Sequence, residues 1–200
     1  YRRRGVCKIN LKKYETAIPD FTRAIEIDPK NSKAYNWRGT ARHKGLKDYA
    51  GAMSDLNMAL ELDPAYSSAY YNRGILKTDM KDFTGAGNDC EASIATNRKY
   101  NPGYICLGRI KYELKDFHNA IQMFTKAIEL DPKSEWAYYG RGRSYKDTGD
   151  AVNAAKDFQK TLEINPKHKD AQEGLKQLAV MQSEPPATKE YSMLPEQKPA

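Results

Sequence analysis

Apolar residues return every three or four positions along most of the chain, the period of a helix with one buried face. Ala120, Ile121, Phe124, Ala127, Ile128 and Leu130 show it best. Polar breaks interrupt this pattern at even intervals, and the text between breaks repeats. AIPDFTRAIEIDP, AMSDLNMALELDP, AIQMFTKAIELDP and AAKDFQKTLEINP are versions of one phrase, closing at Pro29, Pro64, Pro132 and Pro166. A degenerate copy, AGNDCEASIATNR, lies between them with Arg98 in the proline's place. A second column is Gly5, Gly39, Gly74, Gly108 and Gly142, spaced by 34 or 35 residues, and a third is Ala17, Ala52, Ala86, Ala120 and Ala154. Five tandem units of about 34 residues follow from these columns.

Each unit reads as two helices. An aromatic stands four residues before each glycine, at Tyr1, Tyr35, Tyr70, Tyr104 and Tyr138. A polar turn follows, and Asp48, Asp82 and Asp116 sit in it just before an aromatic. A carboxylate there accepts the unpaired N–H groups that open the second helix. Asp-Pro or Asn-Pro then ends that helix, because proline cannot continue the hydrogen-bond ladder. The small Gly and Ala columns fall where two helices must cross closely. The predicted class is all-α.

Two units depart from the pattern. The second has one extra residue, in the turn KGLKDY. The third has Gly85 and Gly87 in its second helix, Cys90 where the others have a large apolar side chain, and no closing proline. Glycine costs a helix about 1 kcal/mol against alanine, so helix 83–97 is expected to be the softest part. Asn101 and Pro102 read as a cap and first-turn pair opening the fourth unit.

Composition narrows the class further. The chain has 200 residues, 40% apolar and 30% charged, with a formal charge of +7 and a mean hydropathy of −0.83. No apolar run reaches the length of a membrane-spanning helix. Three cysteines, at 7, 90 and 106, do not make a disulfide framework and read as small buried thiols.

The spacing and the Gly, Ala and Pro columns resemble the tetratricopeptide repeat (TPR) over residues 1–168. The resemblance implies a right-handed superhelical solenoid of antiparallel helix pairs. It divides the chain into repeats at 1–31, 32–66, 67–100, 101–134 and 135–168. By this register Tyr1 is the fourth position of a truncated repeat, so the natural chain is expected to begin earlier. Residues 169–183 keep the helical period and are expected to cap the array. The proline-rich stretch 184–200 lacks periodicity and is expected to be a disordered tail.

The five copies can be compared with one another. Just before each glycine stand Arg4, Arg38, Arg73, Leu107 and Arg141. One helix further on stand Asp20, Asp55, Asp89, Met123 and Asp157. The columns change together: Arg with Asp four times, Leu with Met once. A bridge between the two helices of one repeat explains this, because removing one partner would strand a buried charge. An anionic ligand on the arginines is the alternative.

A search for chemistry finds little. His43, His118 and His168 are isolated, and no Cys or His lies within metal-ligand spacing of another. The glycines form no phosphate loop. An enzyme is not expected, nor are a cofactor and a metal.

What remains is surface. By the resemblance, first helices line a concave groove, which places Lys33, Asn36, His43 and Lys44 there from the second repeat. Tyr71 and Ile75 follow from the third, Arg109 and Tyr112 from the fourth, and Trp136, Tyr139, Arg143 and Lys146 from the fifth. The basic early part suggests a partner segment acidic at that end, and the later aromatics with Arg have the composition of interaction hot spots. The family's carboxylate clamp is not expected: Asn72 fits, but Thr40, Pro102 and Cys106 stand at other clamp positions. The chain therefore reads as a protein-interaction scaffold holding an extended peptide. The alternative is RNA binding through basic and aromatic side chains. Self-association, through the open first repeat or a tail motif YSMLP seated in a groove, is a further possibility. Free thiols would suit a reducing, cytoplasmic setting.

Overall fold

A computed structural model describes residues 1–183 of the chain; the tail expected at 184–200 lies outside them. The described residues form helix pairs: α1 (Arg2–Asn10) and α2 (Tyr14–Ile27), α3 (Ser32–Ala41) and α4 (Tyr49–Leu62), α5 (Ser67–Asp79) and α6 (Phe83–Thr96). Then come α7 (Asn101–Glu113) and α8 (Phe117–Leu130), α9 (Glu135–Asp147) and α10 (Ala151–Ile164), and a final α11 (Lys169–Ser183). Each first helix packs on its own second helix, which packs on the next first helix. First helices also touch one another in series, α1–α3–α5–α7–α9–α11, whereas second helices pack against first helices. This asymmetry brings the first helices onto the inner wall and curves the array into a right-handed superhelical solenoid.

The turns explain themselves locally. The carboxylates of Asp48, Asp82, Asp116 and Asp150 accept the backbone N–H groups of Gly51, Gly85, Asn119 and Asn153, closing the first turn of α4, α6, α8 and α10. The residue before the cap is left-handed each time: Lys12, Lys47, Lys81 and Lys115 lie at φ 57°, 55°, 64° and 60°, and Gly149 at 83°. That geometry lets the Asp82 N–H reach back to the Lys77 carbonyl at 2.9 Å and the Asp116 N–H to Lys111 at 2.8 Å. The extra residue of the second repeat is absorbed as a π-helical turn, Arg42–Leu46, where the Asp48 N–H reaches one residue further back, to the Arg42 carbonyl at 3.2 Å.

The core is a row of large side chains under the glycine column. Phe21, Leu56, Phe124 and Phe158 are almost fully buried. A side chain on Gly142 would meet the Phe158 ring at 3.0 Å, which is why that crossing has no room for one.

In the third repeat this row holds Cys90, and here the sequence reading of buried free thiols is corrected. Cys90 forms a disulfide with Cys106, Cα to Cα 5.8 Å, joining α6 to α7. The two sulfurs together fill the place of the missing large residue, packed with Ala86, Leu107 and Ile110. Cys7 is free, as expected, but exposed. The Asn101–Pro102 reading also shifts: Tyr100 is the N-cap of α7, and the Asn101 side chain donates instead to the Ala127 carbonyl at 2.6 Å.

The Arg–Asp column forms the bridges that its covariation predicts. Arg38 grips Asp55 with two donors at 2.9 and 2.7 Å, Arg73 grips Asp89 at 2.9 and 2.6 Å, and Arg141 grips Asp157 at 2.8 and 2.9 Å. Arg4 does the same with Asp20. The third nitrogen of the guanidinium reaches the preceding repeat, at Thr22, Asn57 and Thr125. The column thus ties repeats together as well as helices. In the fourth repeat Met123 packs beside Leu107 in an apolar cluster.

Candidate functional site

The inner wall is not uniform. Over the second and third repeats its polar groups bind one another. Asn36, buried in α3, accepts from the Asn72 side chain of α5 at 2.8 Å and lies 3.4 Å from the Tyr66 hydroxyl. His43 is also buried, with Nε2 2.7 Å from the Asp79 carboxylate and its ring against Tyr49. Both were expected to face a ligand. Each is instead spent on the neighbouring repeat, because a polar group leaving water must find a partner. Lys33 and Lys44 are exposed. Ile75 packs into the core beside the disulfide. The gap beside His43 and Lys44 is only about 20 Å³.

The wall opens over the third to fifth repeats. A groove of about 860 Å³ runs past Tyr71, Arg109, Tyr112, Trp136, Tyr139 and Arg143, with Pro102 and Ile105 on its floor. Six of the twelve expected residues come together here. Lys146 lies next door, where it donates to Gln177 of α11 at 2.9 Å. Trp136 presents 56% of its surface to solvent, unusual for so large a ring. Tyr139 is anchored on Phe158, with ring centroids 6.0 Å apart.

Arg143 is held by aromatic faces. Its guanidinium carbon lies 4.1 Å from the ring centre of Tyr112 and 5.7 Å from that of Tyr139. The Tyr112 hydroxyl donates to Asp147. Burial raises the pKa of Tyr112, the hydrogen bond to Asp147 adds to this, and Arg143 opposes it. Burial likewise raises Tyr71 and Tyr139, so all three remain neutral phenols with an apolar face and a polar tip. Acidic groups share the lining: Glu113, Asp131, Glu135 and Asp170.

His168 is the residue that sequence reasoning passed over. It is buried at the start of α11, with its ring centre 5.2 Å from that of Trp136 and 4.7 Å from that of Tyr139. Its Nδ1 accepts the Ala171 N–H at 3.3 Å. Nδ1 therefore carries no proton, which places the proton of the neutral ring on Nε2. The repeat register held the signal, because His168 stands 34 residues after Ser134, the N-cap of α9.

Among the described residues no group of three His, Cys, Asp or Glu is placed to hold a metal ion, and no helix is long and apolar enough to cross a membrane. Stacked helix pairs with an open inner groove define a helical-repeat interaction scaffold. Family models locate it further: "Tetratricopeptide repeat" matches residues 1–31 and 137–168, and "TPR repeat" matches 108–149. The chain is a TPR protein. A search of curated protein sequences finds no match.

Solved structures share the fold. The crystal structure of MamA is 25% identical, with a TM-score of 0.66 over 83% of this chain and 96% of that one. TTC0263, a thermophilic TPR protein in Thermus thermophilus, is 19% identical, with a TM-score of 0.75 over 89% and 96%. YrrB, described as a TPR protein with an unusual peptide-binding site, is 19% identical, with a TM-score of 0.64 over 86% and 88%. TPR proteins are generally non-enzymatic scaffolds for protein–protein interaction.

Proposed function

We propose that this array is a non-enzymatic scaffold that holds an extended peptide segment of a partner protein along the groove of its third to fifth repeats. The observation that carries this reading is the exposed Trp136 in the same open groove as Arg143, itself held against the rings of Tyr112 and Tyr139. Rigid aromatics and Arg supply contact area at low cost in side-chain freedom, and such residues dominate binding energy at interfaces. The structural neighbour described by its peptide-binding site, YrrB, lends support by analogy of fold. Four carboxylates in the same lining speak against a phosphate chain as the occupant.

The test is capture from a nuclease-treated extract by the native array and by a variant carrying Tyr112→Ala and Trp136→Ala. Tyr139 is left in place because it supports Phe158. A protein held by the native array and lost by a variant of unchanged helicity supports the reading. Capture that nuclease abolishes, with both baits alike, sinks it in favour of nucleic acid.

A further inference from the structure

Resting on that groove reading, we propose that the site selects its peptide by one carboxylate side chain, seated between Arg109 and Arg143. The two arginines share a register position, one residue after Gly108 and Gly142, where the other repeats have Val6, Thr40 and Ile75. A cation appears at this position only where the groove is open.

These two arginines differ from the bridging column. Arg4, Arg38, Arg73 and Arg141 each end on an aspartate of their own repeat. Neither Arg109 nor Arg143 has a carboxylate within ion-pair distance among the described residues. Asp147, four residues after Arg143 on α9, is engaged by the Tyr112 hydroxyl. Two charged donors therefore face the groove unneutralised, one of them already fixed in its plane by two rings. A guanidinium so fixed loses little freedom on meeting a carboxylate.

The two arginines line the same groove. Arg109 lies three residues before Tyr112 on α7, and residues so spaced on a helix are about 5–6 Å apart at Cβ. Arg143 reaches across from α9 and lies on the ring of that same Tyr112. Arg143 thus stands at Tyr112, Arg109 acts on the Tyr71 hydroxyl, and both line the one groove, so a carboxylate lying between them can draw on each. A run of phosphates would have to pass Glu113, Asp131, Glu135 and Asp170. One isolated charge avoids them.

The surroundings specify what lies beside the carboxylate. In an extended peptide, side chains two residues apart share a face and are about 7 Å apart. With an acidic residue on the arginine pair, the next side chain on that face stays within the same groove, whose lining offers Ile105, Tyr71 and Trp136 as apolar contacts. The ligand is therefore an extended segment with an Asp or Glu two positions from a large apolar or aromatic residue. On this reading the acidic residue of the peptide lies at the fourth and fifth repeats, whereas in the second Asn36 and His43 are consumed internally.

The probe is a pair of synthetic peptide libraries, one with a fixed Glu among random positions and one with Gln in its place. Native array, an Arg109→Gln, Arg143→Gln variant and a Trp136→Ala variant are compared by fluorescence anisotropy. The native array is expected to prefer Glu peptides by about tenfold or more, the size of a charged hydrogen-bond pair. The double variant should bind both libraries alike, and Trp136→Ala should weaken both without changing their ratio. Equal binding of Glu and Gln by the native array, or a Glu preference that survives in the double variant, overturns this inference and leaves the peptide groove standing. Binding of neither library overturns both. A mixed-sequence oligonucleotide held through the same two arginines replaces the peptide with nucleic acid.

Discussion

Asp89 receives two cations, Arg73 and Lys77, at 2.6 and 2.8 Å while only 5% exposed. Leu107 and Met123 occupy the matching places of the fourth repeat with no charge at all. The protein thus contains its own control for the cost of a buried ion pair. Replacing Asp89 alone by Met strands two cations against an apolar crossing and should cost about 3–5 kcal/mol. Replacing Arg73 by Leu together with Asp89 by Met copies the fourth repeat and should recover most of that loss. Urea unfolding of the two single variants and the double variant measures the coupling. Additive losses would show that the column is not a pair. The covariation was legible because one chain holds five copies; the third nitrogen of Arg38, Arg73 and Arg141, tying adjacent repeats, was not, since no spacing reveals a contact to the preceding unit.

At the scale of the helix, α6 is where sequence and structure part most. Glycines at 85 and 87 and the small Cys90 read as a weak element. The structure forms α6 in full over Phe83–Thr96 and adds a covalent tie that spacing alone did not suggest. Cys90 and Cys106 are 16 residues apart, a distance set by the hairpin between α6 and α7 and not by any motif. A loop of that size stabilises by about 3 kcal/mol when closed. Reduction should therefore lower the unfolding midpoint and raise hydrogen exchange in α6 and α7 above the rest of the array. Equal exchange with and without reductant would show the tie to be inert. The π-helical turn Arg42–Leu46 is the opposite case: the inserted residue was visible in the spacing, but only the backbone shows that the helix widens rather than loops out.

For the whole molecule, a solenoid is weakest at its ends, because each repeat is held only by its neighbours. Arg4 is 63% exposed, against 14–21% for Arg38, Arg73 and Arg141. Asp20, its partner, is nonetheless buried. The hydrogen bond from Arg4 holds the Asp20 carboxyl below its ordinary value, with Lys8 assisting and burial opposing. The folded state therefore binds that proton less readily than the unfolded chain. Its stabilisation is present above the ordinary carboxylate range and is lost as pH falls through the depressed value. Acid should open α1 and α2 before the central repeats, read by hydrogen exchange across an acid titration. Simultaneous opening of all repeats would remove Asp20 as the cause.

Periodicity alone determined the helix pairs, the Asp caps of the second helices from α4 to α8, the crossing glycines and the Arg–Asp bridges, since each depends on side chains at fixed distances along one helix or on a repeat compared with itself. Six of the twelve residues expected along the inner wall line one groove. Tertiary structure decided which stretch of inner wall is open. Asn36 and His43 occupy the same register positions as Tyr71 and Tyr112, yet they face inward to Asn72 and Asp79 and close the wall there. Burial of a polar group is settled by what the next repeat offers it, and that partner lies 36 residues away. The same holds for the two sulfurs: a vacancy left in one helix is filled from the next, a decision that exists only once the helices have packed.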